Sequence, residues 1–160
     1  MKTILKIVLL SLPVLFSACS EELKPNPPEY YRIFTGQNKK TWKITKLIWT
    51  GEGKTDVNYT SQIACYRDDS YVFHADKDNM YEVIGGSVKC SANEASALVS
   101  DKWSFVNATA TLNIIMPLLS DNTLPFYVIK ASSSEMTLEI YLDQDSQYSY
   151  QVTMQSVSTE

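Results

Sequence analysis

Residues 135–142 read EMTLEIYL, and their alternation decides the fold class. On an extended chain Met136, Leu138, Ile140 and Leu142 share one face, while Thr137, Glu139 and Tyr141 share the other. Period two of this kind marks a strand with one side in a core. Residues 148–154, YSYQVTM, repeat it: Tyr148, Tyr150, Val152 and Met154 alternate with Ser149, Gln151 and Thr153. The polar run 143–146 between them supplies turn residues, so the pair predicts a hairpin.

Toward the N-terminus the same reading recurs. Residues 126–130 form a strand joined to Met136 across Ser132, Ser133 and Ser134; 103–106 and 111–116 make a hairpin across 107–110; 71–74 and 80–84 make another across 75–79. Residues 41–50 give the first long strand, followed by a Gly51-Glu52-Gly53 turn, and a short strand is expected at 62–66. Eight or nine antiparallel strands at hairpin spacing predict an all-β fold, either a closed up-and-down meander or a sandwich. One short N-terminal helix is predicted, with Pro28 in its first turn, 30–35 as its body and Gly36 at its C-terminal cap. Residues 93–99, NEASALV, read as a short helix or a loop.

The first eighteen residues have the layout of a secretory signal: Lys2 and Lys6, an apolar run over 7–16, then Ser17 and Ala18. That run is shorter than the ~20 apolar residues of a membrane-spanning helix. Phe16-Ser17-Ala18-Cys19 resembles the lipobox of bacterial lipoproteins, in which the cysteine is acylated, with palmitate as a typical chain, and becomes the first mature residue. Ser20-Glu21-Glu22 resembles the export signal of surface-exposed lipoproteins in Bacteroidota. A signal cleaved elsewhere and a plain acidic linker are the alternatives. Residues 23–28, LKPNPP, suit an extended tether. The organisation implied is a signal peptide at 1–18, an acidic, Pro-rich tether at 19–29 and one domain at 30–160. The location implied is the outer membrane, exposed at the cell surface, with the periplasmic face as the alternative.

The chain has 160 residues, 14 basic and 18 acidic, for a net charge of −4. This balance, without a basic cluster, argues against nucleic acid as a partner. The membrane would be reached through the anchor at Cys19. Cys65 and Cys90 then remain, an even pair in an exported chain, to be read as a disulfide or as two buried thiols.

The order of features in the domain resembles the lipocalin-like domain of Bacteroidota lipoproteins. The resemblance rests on Thr35-Gly36, Lys40-Thr41-Trp42-Lys43-Ile44, Cys65-Tyr66-Arg67-Asp68-Asp69 before Tyr71-Val72-Phe73, and Gly85-Gly86 leading to Cys90. It continues through Lys102-Trp103-Ser104-Phe105, Tyr127-Val128-Ile129-Lys130 and Met136-Thr137-Leu138-Glu139-Ile140. It implies an antiparallel up-and-down barrel of about eight strands, with Trp42 as a barrel-end packing residue. Classical lipocalins also place an arginine near the last strand, whereas Arg32 and Arg67 are the only arginines here.

Chemistry has few candidates. His74 is the sole histidine and no serine lies in a GxSxG elbow, so no catalytic residue is assigned. No metal site is assigned either: Asp68-Asp69, the turn 76–79 and Asp143-Gln144-Asp145 lack a full calcium loop, and Asp and Asn are ordinary turn residues. No cofactor is implied. Gly85-Gly86 reads as a bulge or a bend at a barrel corner. Trp42, Phe73, Trp103, Phe105, Tyr148 and Tyr150 either line a cavity for a small apolar or amphipathic ligand or fill the barrel. An interaction module in a cell-surface complex is the alternative function, motivated by the apolar stretch 118–126, LLSDNTLPF.

Overall fold

The computed structural model describes residues 28–51, 56–141 and 148–159. The signal sequence, Cys19, most of the tether, Leu142 and the turn at 143–145 lie outside the described residues. Helix α1 (Pro28–Thr35) is followed by β1 (Lys39–Thr50), β2 (Asp56–Asn58), β3 (Ser70–His74), β4 (Met80–Ile84) and β5 (Ala97–Lys102). Then come β6 (Ser104–Val106), β7 (Thr111–Met116), β8 (Ser120–Ala131), β9 (Glu135–Tyr141) and β10 (Ser149–Thr159).

The strands form one antiparallel sheet in the order β5-β4-β3-β1-β10-β9-β8-β7-β6, with β2 a side pairing on β1. The two ends of that order, β5 and β6, are consecutive in the chain and separated by Trp103 alone. They therefore act as one interrupted strand, whose first half pairs with β4 and whose second half pairs with β7. Counted so, eight strands make a nearly closed up-and-down barrel. The Tyr81 hydroxyl spans the seam, accepting from the Ile115 N–H at 2.6 Å and donating back to the Ile115 carbonyl at 3.3 Å.

The alternation predicted over 135–142 and 148–154 is present in the described part, 135–141 and 148–154: Met136, Leu138, Ile140, Val152 and Met154 are buried. In β1 it is interrupted. A bulge between Ile44 and Lys46 lets Thr45 stand outside the register, its hydroxyl donating to the Thr153 carbonyl at 3.2 Å. Beyond it Leu47, not Lys46, turns inward. The helix ends where the sequence places its cap. Gly36 has φ 67°, and its N–H returns to the Arg32 carbonyl at 2.9 Å.

Three expectations are corrected. Residues 62–66 are no strand: a 3-10 turn occupies Ala64–Tyr66, and the short strand lies earlier, at Asp56–Asn58. Asn58 Oδ1 accepts the Thr60 N–H at 2.9 Å, turning the chain out of the strand ladder before 62–66 is reached. Residues 93–96 are loop, and the chain enters β5 at Ala97. The stretch 118–126 is no long loop either. The Leu119 N–H returns to the Met116 carbonyl at 2.8 Å in a tight turn, and β8 begins at Ser120.

Candidate functional site

α1 plugs one end of the barrel with an aromatic cluster. Phe34, fully buried, has its ring 6.4 Å from Phe73, 5.9 Å from Trp103 and 5.4 Å from Phe105. Trp103 also meets Phe73 at 5.8 Å and Tyr31 at 5.2 Å. Two side chains of β1 close the helix C-terminus from below. Trp42 Nε1 donates to the Phe34 carbonyl at 2.9 Å, and Lys40 Nζ donates to the Ile33 carbonyl at 3.1 Å while lying 4.7 Å over the Trp42 ring. Lys40 thus places a cation on the barrel-end tryptophan from β1 itself, and burial pulls its pKa down.

The opposite end is the mouth, bounded by the ends of β1 and β9 and the start of β10. There Trp49 stacks on Tyr148 with centroids 5.6 Å apart and planes 12° from parallel. Trp49 sits opposite Tyr150, itself packed on the core, so the Thr45 bulge has brought Trp49 onto the inward face. A Cβ on Gly51 would run into the Trp49 ring, so glycine lets the indole fold back over its own strand. Leu118, Leu119 and Leu124 pack against the core and are half-buried.

The six predicted aromatics therefore divide. Trp42, Phe73 and Trp103 are buried in the packed interior, and half-buried Phe105 joins them under α1. Tyr148 and Tyr150 lie at the mouth. Sequence reasoning missed Trp49 and Lys40. Nothing in strict alternation signals the first, and the second is visible only as a lysine two residues before a tryptophan.

A disulfide joins Cys65 and Cys90, with Cα atoms 5.1 Å apart, and pins the loop after β4 to the turn before β3. Beside it Asp68 Oδ2 accepts from Val88 N–H at 2.9 Å and Ser87 Oγ at 3.0 Å, and Asp69 Oδ1 accepts from Gly86 N–H at 2.8 Å. A Cβ on Gly86 would collide with the Asp68 carboxylate, so the glycine pair is a close approach rather than a bulge. The Val88 N–H in particular holds the Asp68 pKa down. Burial pushes Asp69 up, and the charges of Glu94 and Asp68 add to the rise. Tyr71 is buried above this corner with its hydroxyl unpartnered among the described residues, and burial drives its pKa far up.

No family model matches the chain, and no curated protein matches it. The functional reading therefore rests on geometry. His74, at the far end of β3 from Asp69, pairs with Glu82 at 3.4 Å, so the histidine and the aspartate pair do not meet. Among the described residues no group of three His, Cys, Asp or Glu is placed to hold a metal ion. Asp76 serves its own turn, its Oδ1 accepting the N–H groups of Asp78 and Met80 at 3.0 Å each. No described helix is long and apolar enough to cross a membrane.

Proposed function

We propose that the protein is an exported, lipid-anchored, lipocalin-like barrel of the outer membrane surface that binds a small apolar or amphipathic ligand without acting on it. Cys19 carries the anchor, and the membrane is reached through it. The observation that carries the binding reading is the Trp49–Tyr148 stack at the mouth: two flat rings, one of them 36% exposed, at the end of the barrel opposite α1. Aromatic faces with a hydroxyl at their edge suit a ligand with both an apolar body and a polar group. The packed interior directs the ligand to the rim rather than the depth, since Trp42, Phe73, Tyr81 and Phe126 are among the fully buried side chains that fill the core.

Native mass spectrometry on protein released gently from membranes tests this reading. An acyl mass on Cys19 together with a further mass lost on denaturation is the expected result, and Trp49→Ala should shed that further mass while staying folded. An acylated chain with nothing bound, in wild type and variant alike, refutes the ligand.

A second reading, an interaction module for a surface complex, is favoured by the outer wall. Tyr127 and Tyr141 meet edge to face at 5.9 Å and are 44% and 48% exposed, and Ile129 beside them is 55% exposed. Solvent-facing rings and an isoleucine on neighbouring strands are the apolar surface such a complex would cover. A stoichiometric partner retained by wild type and lost in Tyr127→Ala would establish it.

A further inference from the structure

The barrel wall is incomplete along one stretch of β1. Its pairing with β3 covers residues 39–42 and its pairing with β2 covers 48–50, which leaves 43–47 without a strand on that side. The segment before β3 packs into the gap instead. Tyr59 N–H donates to the Leu47 carbonyl at 3.0 Å, the Thr60 hydroxyl accepts from Leu47 N–H at 3.2 Å, and Lys43 Nζ donates to the Asp68 carbonyl at 2.8 Å. On the other side β10 carries a bulge at Val157, so the register of β1 and β10 breaks on both flanks of Lys43.

Between the inserted segment and β10 lies a groove of about 410 Å³, lined by Lys43, Thr45, Arg67, Asp68, Ser156 and Val157 among others. Its charge is unlike that of the chain. Two cations, Lys43 and Arg67, face one carboxylate there: Asp68 spends its Oδ2 on Val88 and Ser87 and has its Oδ1 buried without a hydrogen-bond partner, whereas Arg67 is exposed and its guanidinium has no acidic partner among the described residues. The backbone at Arg67 is also held in place. It lies two residues after the disulfide at Cys65 and directly before Asp68, whose carbonyl and carboxylate are both tied down. A guanidinium and an ammonium lining one groove, the Ser156 hydroxyl, and an apolar side at Val157, 55% exposed, form a recognition set for an anion with a short apolar body.

We infer that this groove binds a small carboxylate- or phosphate-bearing molecule, gripped by Arg67 and Lys43. The site is separate from the barrel mouth and stands whether or not the mouth carries a ligand.

Isothermal titration of the full-length protein with inorganic phosphate and with succinate tests it, using wild type, Arg67→Gln and Lys46→Gln. Lys46 is exposed on the same strand and does not line the groove. Saturable binding of either anion, weakened about tenfold in Arg67→Gln as for loss of one charge-assisted contact and unchanged in Lys46→Gln, is the expected result. Absence of saturable binding, or equal binding by Arg67→Gln and wild type, overturns the inference. Competition by dihexanoyl phosphatidylglycerol would assign the anion to a lipid headgroup, and lack of competition to a free solute; both support the groove as an anion site.

Discussion

The indole nitrogen of Trp42 donates to the carbonyl oxygen of Phe34 across 2.9 Å, joining the first strand to the last turn of α1. Both residues are fully buried, so neither group has water as a substitute partner. Trp42→Phe keeps most of the ring and removes the donor, leaving a buried carbonyl unpaired. The expected cost is about 1–3 kcal/mol in urea unfolding. Phe34→Ala should cost more, about 3–5 kcal/mol, because it empties the centre of the aromatic plug.

The aspartate pair should show opposite pH signs. Asp68 has a lowered folded pKa, so its stabilising contribution is present above the unfolded carboxylate value and is lost as pH falls through the folded one. Asp68→Asn should therefore flatten the acid limb of a stability–pH curve. Asp69 has a raised folded pKa, so the folded state is penalised as pH rises through that value. Asp69→Asn, which keeps an oxygen for Gly86 N–H, should match or exceed wild type at pH 7 and lose any advantage in acid. Asp69→Ala should fall below wild type by about 1–3 kcal/mol. Chemical denaturation from pH 3 to 8 reads all three.

Gly86→Ala places a methyl against the Asp68 carboxylate. A loss of about 1–3 kcal/mol is expected. The double variant with Asp68→Ala should recover most of it, and strictly additive losses would show that the two sites do not touch.

Reducing the Cys65–Cys90 bond, or replacing both cysteines with serine, should lower stability by roughly 3 kcal/mol, the chain-entropy value for a loop of this size. Thermal melts with and without reductant measure it. The aspartate contacts to Gly86 and Val88 should loosen in step, visible as faster amide exchange at those two positions.

The strands at 135–141 and 148–154 were legible because their apolar residues fall on one face, which is what alternation records, although Glu139 and Ser149 on the polar face are buried against each other. The helix cap was legible because a left-handed cap position, such as the one at φ 67°, favours glycine, here Gly36. What stayed hidden was set by neighbours. Strict alternation from Trp42 would point Lys46 and Ile48 inward, and only the bulge at Thr45, imposed by pairing with β10, sends Leu47 and Trp49 there instead. The start of β8, SDNTLP, has the composition of a loop, and its pairing with β7 makes it a strand, with Thr123 opposite Ile115 and Pro125 opposite Asn113. The disulfide followed from counting cysteines. The groove beside Arg67 did not, because it exists only where three distant segments meet.

The seam at Trp103 is bridged by the chain itself, so the contact that finally closes the ring is the one between β1 and β10, which brings Thr41 against Ser158 from nearly opposite ends of the sequence. Closure therefore cannot be shared out among early, local steps. During synthesis the first strand emerges with no partner on that edge and must wait for every other strand of the barrel to follow. Such terminus-to-terminus pairing is entropically late and slow. Removal of β10 would leave a curled open sheet with two unpaired rims, so the barrel exists only once the last of its strands has taken its place.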